Sequence, residues 1–494
     1  MKTKTVRPFG IKDKVGYMFG DFGNDFTFIL STMLLMKFYT DVMGVSAAVV
    51  GTIMMVARFV DAVTDVTMGR ICDRCKVTPA GKFKPWILRM CVPVAIASFL
   101  MYLSPLNSIL SSSGKIVYLA ITYILWGSVF YTSINIPYGS MASAISAEPG
   151  DRQSLSTFRT MGGMLAGMII GIGLPIIAYD SVPAIDEATG EQIVKDGEKV
   201  FNSVLSGNKA MIAAGVFSIF AIVCYILCYK LVKERVQPKV EEDAFKSNSV
   251  GKMIKNAFTN RALLSIIVAS IVMLLAQLTM QNMAAYVYPD YFNAATLQAA
   301  STACMMVGMI IAAIVAKPLA AKFGKAEVSI VSNLFAAVVC VILFIVHTDN
   351  VWVYIGLQAL CWLGLGVFSM VSWALITDVI DYSELKNGIR EDGSVYAIYS
   401  FARKLGQAVA AGLSGWLLAG IGYVEGAAEK GLSQTQVVKD GIYDISTLVP
   451  AIGFLALALV LWFWYPLHKK QVDANVAALK EKHGTATEET TDEE

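Results

Sequence analysis

What this 494-residue sequence has least of is charge. Asp, Glu, Lys and Arg make up 16% of it, against roughly 25% in soluble globular chains. Hydrophobic residues are 56%, and the mean hydropathy is +0.59. A water-soluble fold of this length could not cover its surface with so few charges, so lipid is the solvent this surface fits. The 40 basic and 38 acidic residues nearly cancel, which gives nucleic acid no basic face to meet, and none is expected as a partner. There are three histidines, His347, His468 and His483. All lie near helix ends or in the tail, which argues against a histidine proton relay inside the membrane. Of eight cysteines, Cys91, Cys224, Cys228, Cys304, Cys340 and Cys361 sit in apolar runs, where cysteine is a small hydrophobe. Cys72 and Cys75 form a CxxC without a second CxxC or a histidine nearby, so zinc or redox chemistry is not expected. A nucleophile motif and a metal cluster are both missing, and with them the expectation of an enzyme or a resident cofactor. Residues 1–14 are polar and basic and the first apolar run is full length, so no cleavable signal is expected.

What is present is a succession of apolar runs, each near the ~20 residues that cross a bilayer. They predict spans at 17–43, 46–71, 85–105, 115–146, 156–179, 209–232, 261–289, 295–321, 326–347, 351–381, 394–422 and 444–467. The even count puts both termini on one side. Lys and Arg crowd the N-terminus, the connection after span 2, residues 233–260 and the turn between spans 8 and 9, whereas the connection at 180–208 is acidic. Positive charge inside then places both termini in the cytoplasm of a multi-pass plasma (inner) membrane protein. The expected organisation is a first six-helix half (1–232), a cytoplasmic linker (233–260), a second half (261–467) and a polar tail (468–494) read as a short helix followed by disorder. Phe158-Arg159-Thr160-Met161-Gly162 in span 5 and Phe401-Ala402-Arg403-Lys404-Leu405-Gly406 in span 11 hint at repeated halves, a common way to build secondary transporters.

Ionisable residues inside spans cost several kcal/mol and are functional candidates for that reason. Asp61, Thr64 and Asp65 share a face of span 2, with Arg58 one turn before. Asp61 lies roughly 13 Å along the helix from Arg70, near mid-bilayer. Two carboxylates and a hydroxyl are hard donors suited to a small cation such as Na⁺, and Thr132 of span 4 adds another oxygen. The structural alternative is that Arg58 simply pins one of the acids, but one arginine cannot neutralise two. Asp21 and Asp25 share a face of span 1 among glycines, Asp21 as a possible gate residue. Arg159 and Lys404 supply deep positive charge. Carboxylate and guanidinium together hold sugar hydroxyls well, with Trp126, Tyr131, Tyr138 and Trp373 as possible stacking rings, although such aromatics are more often core. Asp73, Arg74, Asp378, Asp381, Glu384 and Arg390 gather at the expected cytoplasmic ends of spans 2 and 10, either solvated or as inner-gate ion pairs.

The runs GDFGNDF (20–26), FYTDVMG (38–44), ARFVDAVTDVTMGRICDR (57–74), GKFKPWIL (81–88), YILWG (123–127), NIPYGSM (135–141), SLSTFR (154–159), DVIDYSELK (378–386) and FARKLGQ (401–407) span both halves. They resemble the glycoside–pentoside–hexuronide:cation symporters of the major facilitator superfamily, the family of melibiose and glucuronide permeases. The resemblance implies an all-α membrane fold of 12 helices in two halves. It also implies a cation site at Asp61, Thr64, Asp65 and Thr132, a sugar-binding pair in Asp25 and Arg159, and Lys404 close to both. Asn135 stands where melibiose permease has a sugar-binding aspartate, Gly139 where it has tryptophan, and Asn24 where it has lysine. NIPYGSM looks more like the glucuronide branch.

The expectation is therefore alternating-access symport of a glycoside with Na⁺, Li⁺ or H⁺, by a chain working as a monomer with membrane lipid around it. Asn135, Trp373 and Tyr131 join the candidate sugar site. Rival readings are a uronide- or pentoside-specific importer, a lipid or drug carrier, and a membrane sugar sensor that transports nothing. The deep charges argue against the carrier of apolar cargo, and the 27-residue tail is short for a signalling domain.

Overall fold

The computed structural model describes residues 7–185, 189–195, 198–236, 260–387, 392–427 and 430–489. Twelve long helices run through them, and they are numbered here as spans 1 to 12. They are Ile11–Lys37 (continued by Phe38–Val42), Ala47–Arg74, Lys84–Leu100, Ser112–Ile145, Pro149–Ile177, Gly207–Leu231, Arg261–Tyr291, Leu297–Phe323, Lys325–Val346, Val351–Asn387, Asp392–Gly420 and Gln436–Trp464. Nine of the described helices are long and apolar enough to cross a membrane, and spans 1, 3 and 11 are shorter or more polar. A helix is what an apolar run must form in lipid, since every backbone N–H needs a partner within its own segment. Several helices start earlier than hydropathy suggests. Span 5 begins at Pro149 and span 12 at Gln436, because a helix outlasts the apolar stretch that anchors it.

Spans 1, 4, 7 and 12 each contain a π-helical segment: Phe38–Val42, Leu125–Tyr131, Val287–Tyr291 and Val460–Trp464. Such segments shift hydrogen bonds to i→i+5 and re-aim the side chains that follow. The glycines of span 1 serve close packing. A Cβ on Gly20 would fall 2.2 Å from a ring carbon of Tyr138, so spans 1 and 4 touch here through backbone and ring.

The connection after span 5 holds strands that hydropathy does not reveal. β1 (Tyr179–Pro183) pairs antiparallel with β4 (Phe201–Leu205), and β2 (Val194–Lys195) with β3 (Glu198–Lys199). Beside this hairpin the Lys209 ammonium holds the Asp180 carboxyl below its ordinary pKa. The expected linker is described only to Val236 and from Asn260, so its interior lies outside the described residues. The tail forms a helix at Lys469–Glu489, longer than the short helix expected.

The chain divides into two compact units. The first comprises Met1–Glu241, Gln281–Thr302 and Ala411–Ile442, and the second comprises Glu242–Met280, Ala303–Ala410 and Tyr443–Glu494. The ends of spans 7 and 11 thus group with the first six helices.

Within the first unit, side chains close the ends where residues 7–14 and 232–236 meet. Asp13 is fully buried and binds Arg7 and Arg235, each at 2.8 Å. Glu234 accepts hydrogen bonds from the backbone N–H groups of Lys82 (2.6 Å), Phe83 (3.0 Å) and Lys84 (2.8 Å). The first N–H groups of a helix lack intrahelical partners. Glu234 supplies them from the far end of the six-helix run, and its negative charge suits the positive end of the helix dipole.

Candidate functional site

Spans 2 and 4 build the first charged cluster. Arg58 Nη1 donates to Asp61 Oδ2 at 3.2 Å, with both side chains about nine-tenths shielded or slightly less, at 16% and 14% exposed. The Arg58 guanidinium also covers the ring of Phe28 at 4.9 Å, a cation–π arrangement that compensates for lost hydration. The other Asp61 oxygen, Oδ1, accepts from Ser128 Oγ at 2.5 Å. Asp65 Oδ1 accepts from Thr132 Oγ1 at 2.8 Å. The π segment of span 4 sets this up: Ser128 lies inside it and Thr132 directly follows, so hydroxyls four residues apart reach acids four residues apart. Gly127 keeps the approach open, since a Cβ there would meet Asp61 Oδ1 at 3.3 Å.

Two carboxylates and two hydroxyls thus stand side by side here, with the Arg58 guanidinium on Asp61. That donor set matches a monovalent hard cation. Among the described residues, no group of three or more His, Cys, Asp or Glu side chains could hold a metal ion. Thr64, expected in this set, turns its hydroxyl onto the Asp61 backbone carbonyl at 3.1 Å. Ser128, which the sequence reading passed over, makes the carboxylate contact instead. Its only signal was the i, i+4 spacing to Thr132.

Spans 1, 4, 5 and 6 build the second cluster. Arg159 Nε donates to Asp21 Oδ1 at 2.9 Å, so the arginine expected beside Asp25 pairs with the acid one turn earlier. Its guanidinium also lies over the Tyr138 ring at 5.2 Å, and Tyr138 stacks on Tyr17 with centroids 4.6 Å apart. Asp25 is half-buried and receives no hydrogen bond from the described residues. Its carboxylate rests against span 5, where a Cβ on Gly163 would fall 2.6 Å from Asp25 Oδ2. Asn135 Oδ1 accepts from Asn24 Nδ2 at 3.3 Å, and Asn24 Oδ1 accepts from Tyr225 at 2.9 Å. The amides at 24 and 135 therefore satisfy each other without charge. Tyr131 packs between Phe28 and Trp126, at 5.6 and 5.5 Å. This cluster offers a tied guanidinium, an unengaged carboxylate and aromatic faces, the chemistry that holds polyols through charge-assisted hydrogen bonds.

The remaining candidates belong to the second unit or to the end of span 2. Trp373 is half-exposed, edge-on to Tyr399, with Arg403 above its ring at 5.7 Å. Lys404 follows Arg403 in span 11 and is half-buried. Of the expected inner-gate residues, Asp378 is buried and binds Lys325 at 2.6 Å, a partner read from sequence only as a loop charge. Asp381 is half-buried one turn on, and Arg74 is exposed at the end of span 2. The side chain of Asp73 and the whole of Arg390 lie outside the described residues.

Comparison with known proteins places these clusters in context. A family described as MFS/sugar transport protein matches residues 16–469. An uncharacterized symporter of Bacillus subtilis (strain 168), YjmB, is 29% identical over 484 residues, covering 98% of each chain. A glucuronide carrier protein homolog of Escherichia coli (strain K12) is 29% identical over 461 residues, covering 92% of this chain and 93% of its own. Among solved structures, a D-xylose-proton symporter superposes with a TM-score of 0.58 at 15% identity, covering 92% of this chain and 97% of its own. That last likeness concerns the fold.

Proposed function

The chain belongs to the MFS/sugar transport protein family, the glycoside–pentoside–hexuronide branch of the major facilitator superfamily, and from that premise we propose that it imports a glycoside by cation-coupled symport. It is a multi-pass membrane transporter and not an enzyme. The observation that carries the coupling is the set Asp61, Asp65, Ser128 and Thr132, two carboxylates and two hydroxyls held together on spans 2 and 4. A Na⁺, Li⁺ or H⁺ binds there on hard carboxylate and hydroxyl oxygens. The sugar lies against Asp25 and Arg159, with the buried Tyr138 ring backing the guanidinium. Arg159 stays neutralised by Asp21, so Asp25 is the acceptor left for sugar hydroxyls.

Coupling follows from linkage. Each ligand that favours the same closed packing of spans 1, 2, 4 and 5 raises the affinity of the other by the same factor. In the plasma membrane, with both termini in the cytoplasm, an inward cation gradient then drives accumulation. The test is uptake into right-side-out vesicles of a glycoside panel under Na⁺, Li⁺ and H⁺ gradients. No accumulation under any of the three sinks the reading. Asp61→Asn that leaves gradient-driven uptake intact removes the cation assignment alone.

A uronide substrate is the second reading, favoured by the likeness to the glucuronide carrier homolog. In the first unit, Asp21 and Asp25 outweigh Arg159 by one formal charge, which repels a carboxylate. Uronide uptake therefore requires Asp25 to carry a proton. Under this reading uptake of a uronide, unlike that of a neutral glycoside, rises as pH falls and survives Asp25→Asn.

A further inference from the structure

At the end of the first unit farthest from Ile11, the last turns of spans 1 and 7 repeat each other. Both are π-helical, Phe38–Val42 and Val287–Tyr291. Both leave by the same turn. Met43 N–H donates to Phe38 O (3.1 Å) and Val45 N–H to Tyr39 O (2.8 Å), as Phe292 N–H does to Val287 O (3.0 Å) and Ala294 N–H to Tyr288 O (2.8 Å). Gly44 and Asn293 then take positive φ, 63° and 51°. In this register Asp41 corresponds to Asp290, each three residues before the left-handed residue. Lys37 corresponds to Tyr286. Two equivalent carboxylates from the two halves thus converge, and only one half supplies a lysine.

That lysine sits between them. Lys37 Nζ is 2.7 Å from Asp41 Oδ2, 2.5 Å from Asp290 Oδ2 and 3.0 Å from Tyr423 Oη, so each of its three N–H groups has an acceptor. The side chains of Lys37, Asp41 and Asp290 are 1%, 3% and 11% exposed. Tyr423 Oη is also 2.8 Å from Asp41 Oδ1, Thr40 donates to the same oxygen at 3.0 Å, and the ammonium lies 4.4 Å from the Tyr286 ring centre. Further hydrogen bonds surround this centre, three between neutral groups and one to the Glu425 carboxylate. Gly426 N–H donates to Thr40 O (3.0 Å), Ala47 N–H to Glu425 Oε1 (3.0 Å), Ser203 N–H to Asn293 Oδ1 (2.6 Å) and Ile185 N–H to Gly431 O (3.1 Å). All of them join the first six helices to the ends of spans 7 and 11 or the connection after span 11.

We propose that Lys37 is the positioning residue that holds this end of the transport pathway shut, by binding the paired carboxylates Asp41 and Asp290 of the two halves. A carrier that exposes its site alternately to two sides must part spans 1 and 7 here. The neutral bonds re-form with water at little cost, whereas separating a buried ammonium from two carboxylates sets a barrier. Without Lys37, the two acids repel across the same seam. Neither the sugar nor the cation enters this mechanism, so it stands or falls apart from those assignments.

The test is the distance distribution between spin labels in a cysteine-free background. The labels go on Ile109 and Val437, both well exposed, at 71% and 78%. Lys37→Met shifts the ratio of short to long distances about a hundredfold toward long, the scale of losing one partner of a buried pair. Asp290→Asn shifts it the same way, because it cuts the link between halves. Asp41→Asn does not, because it leaves Lys37 on Asp290. Lys37→Arg, and the exchange Lys37→Asp with Asp290→Lys, return the short distance. A monodisperse, fully helical Lys37→Met protein with the wild-type distribution overturns the proposal. So does an equal response to Asp41→Asn and Asp290→Asn, and that comparison decides alone if Lys37→Met does not fold.

Discussion

Replacing Ser128 by alanine tests the cation site at one oxygen. Ser128 Oγ donates its hydrogen to Asp61 Oδ1 at 2.5 Å, which leaves its lone pairs to accept from another group. A bound cation therefore gains the hydroxyl as a ligand and finds Asp61 already oriented. Alanine removes both. A hydrogen bond to a charged group is worth about 1.5–3 kcal/mol, and 1.4 kcal/mol is a tenfold change in an equilibrium constant. The half-saturating cation concentration for uptake should thus rise about 10- to 100-fold, with the maximal rate at saturating cation little changed. Initial-rate uptake at fixed sugar, titrated separately with Na⁺, Li⁺ and H⁺, measures it. If the half-saturating concentration stays within a factor of two for all three cations, Ser128 is not a ligand. If Thr132→Ala is equally silent, the cluster does not bind the coupling ion.

Other substitutions probe the neighbouring contacts. Asp21→Asn frees the Arg159 guanidinium from its 2.9 Å partner and should weaken neutral glycoside uptake about tenfold while improving uronide uptake, read from competition by each sugar class. Gly163→Ala drives a methyl to 2.6 Å from Asp25 Oδ2. It should raise the sugar KM while leaving cation-induced thermal stabilisation in place, and loss of both together would mean the helix packing itself has failed. Glu234→Ala strips the partner from three N–H groups leading into span 3, those of Lys82, Phe83 and Lys84, and should cost about 1–2 kcal/mol of stability, the scale of losing a helix cap. A thermal melt in detergent that does not move would refute that role.

Much of this was readable from residues alone, and the reasons are physical. Spans announce themselves because lipid demands long apolar runs, and Asp61 and Asp65 stood out because charge in such a run is costly. Ser128 did not, since a serine in a helix is ordinary until a carboxylate is found 2.5 Å away. Asp41 lies in a run that carried the family resemblance and Lys37 just before it, but their partner Asp290 is 253 residues from Lys37, and nothing local to either segment connects them. The same holds for Asp378 and Lys325, 53 residues apart. The pairing of Arg159 with Asp21 rather than Asp25 is a matter of one helical turn, below what spacing can resolve. The hairpin after span 5 escaped notice because its strands are five and two residues long, too short for alternation to register.

The clasp of Glu234 on the start of span 3 also sets an order on how the molecule is made. The N–H groups of residues 82–84 gain their carboxylate only when residue 234 has left the ribosome, 150 residues after Lys84. At 5–20 residues per second, that is about 8–30 s during which span 3 sits in or near the membrane with its leading turn unsatisfied. Asp13 waits longer still for Arg235, 222 residues on. The trailing residues of the sixth helix therefore fasten the first and third only after it has emerged.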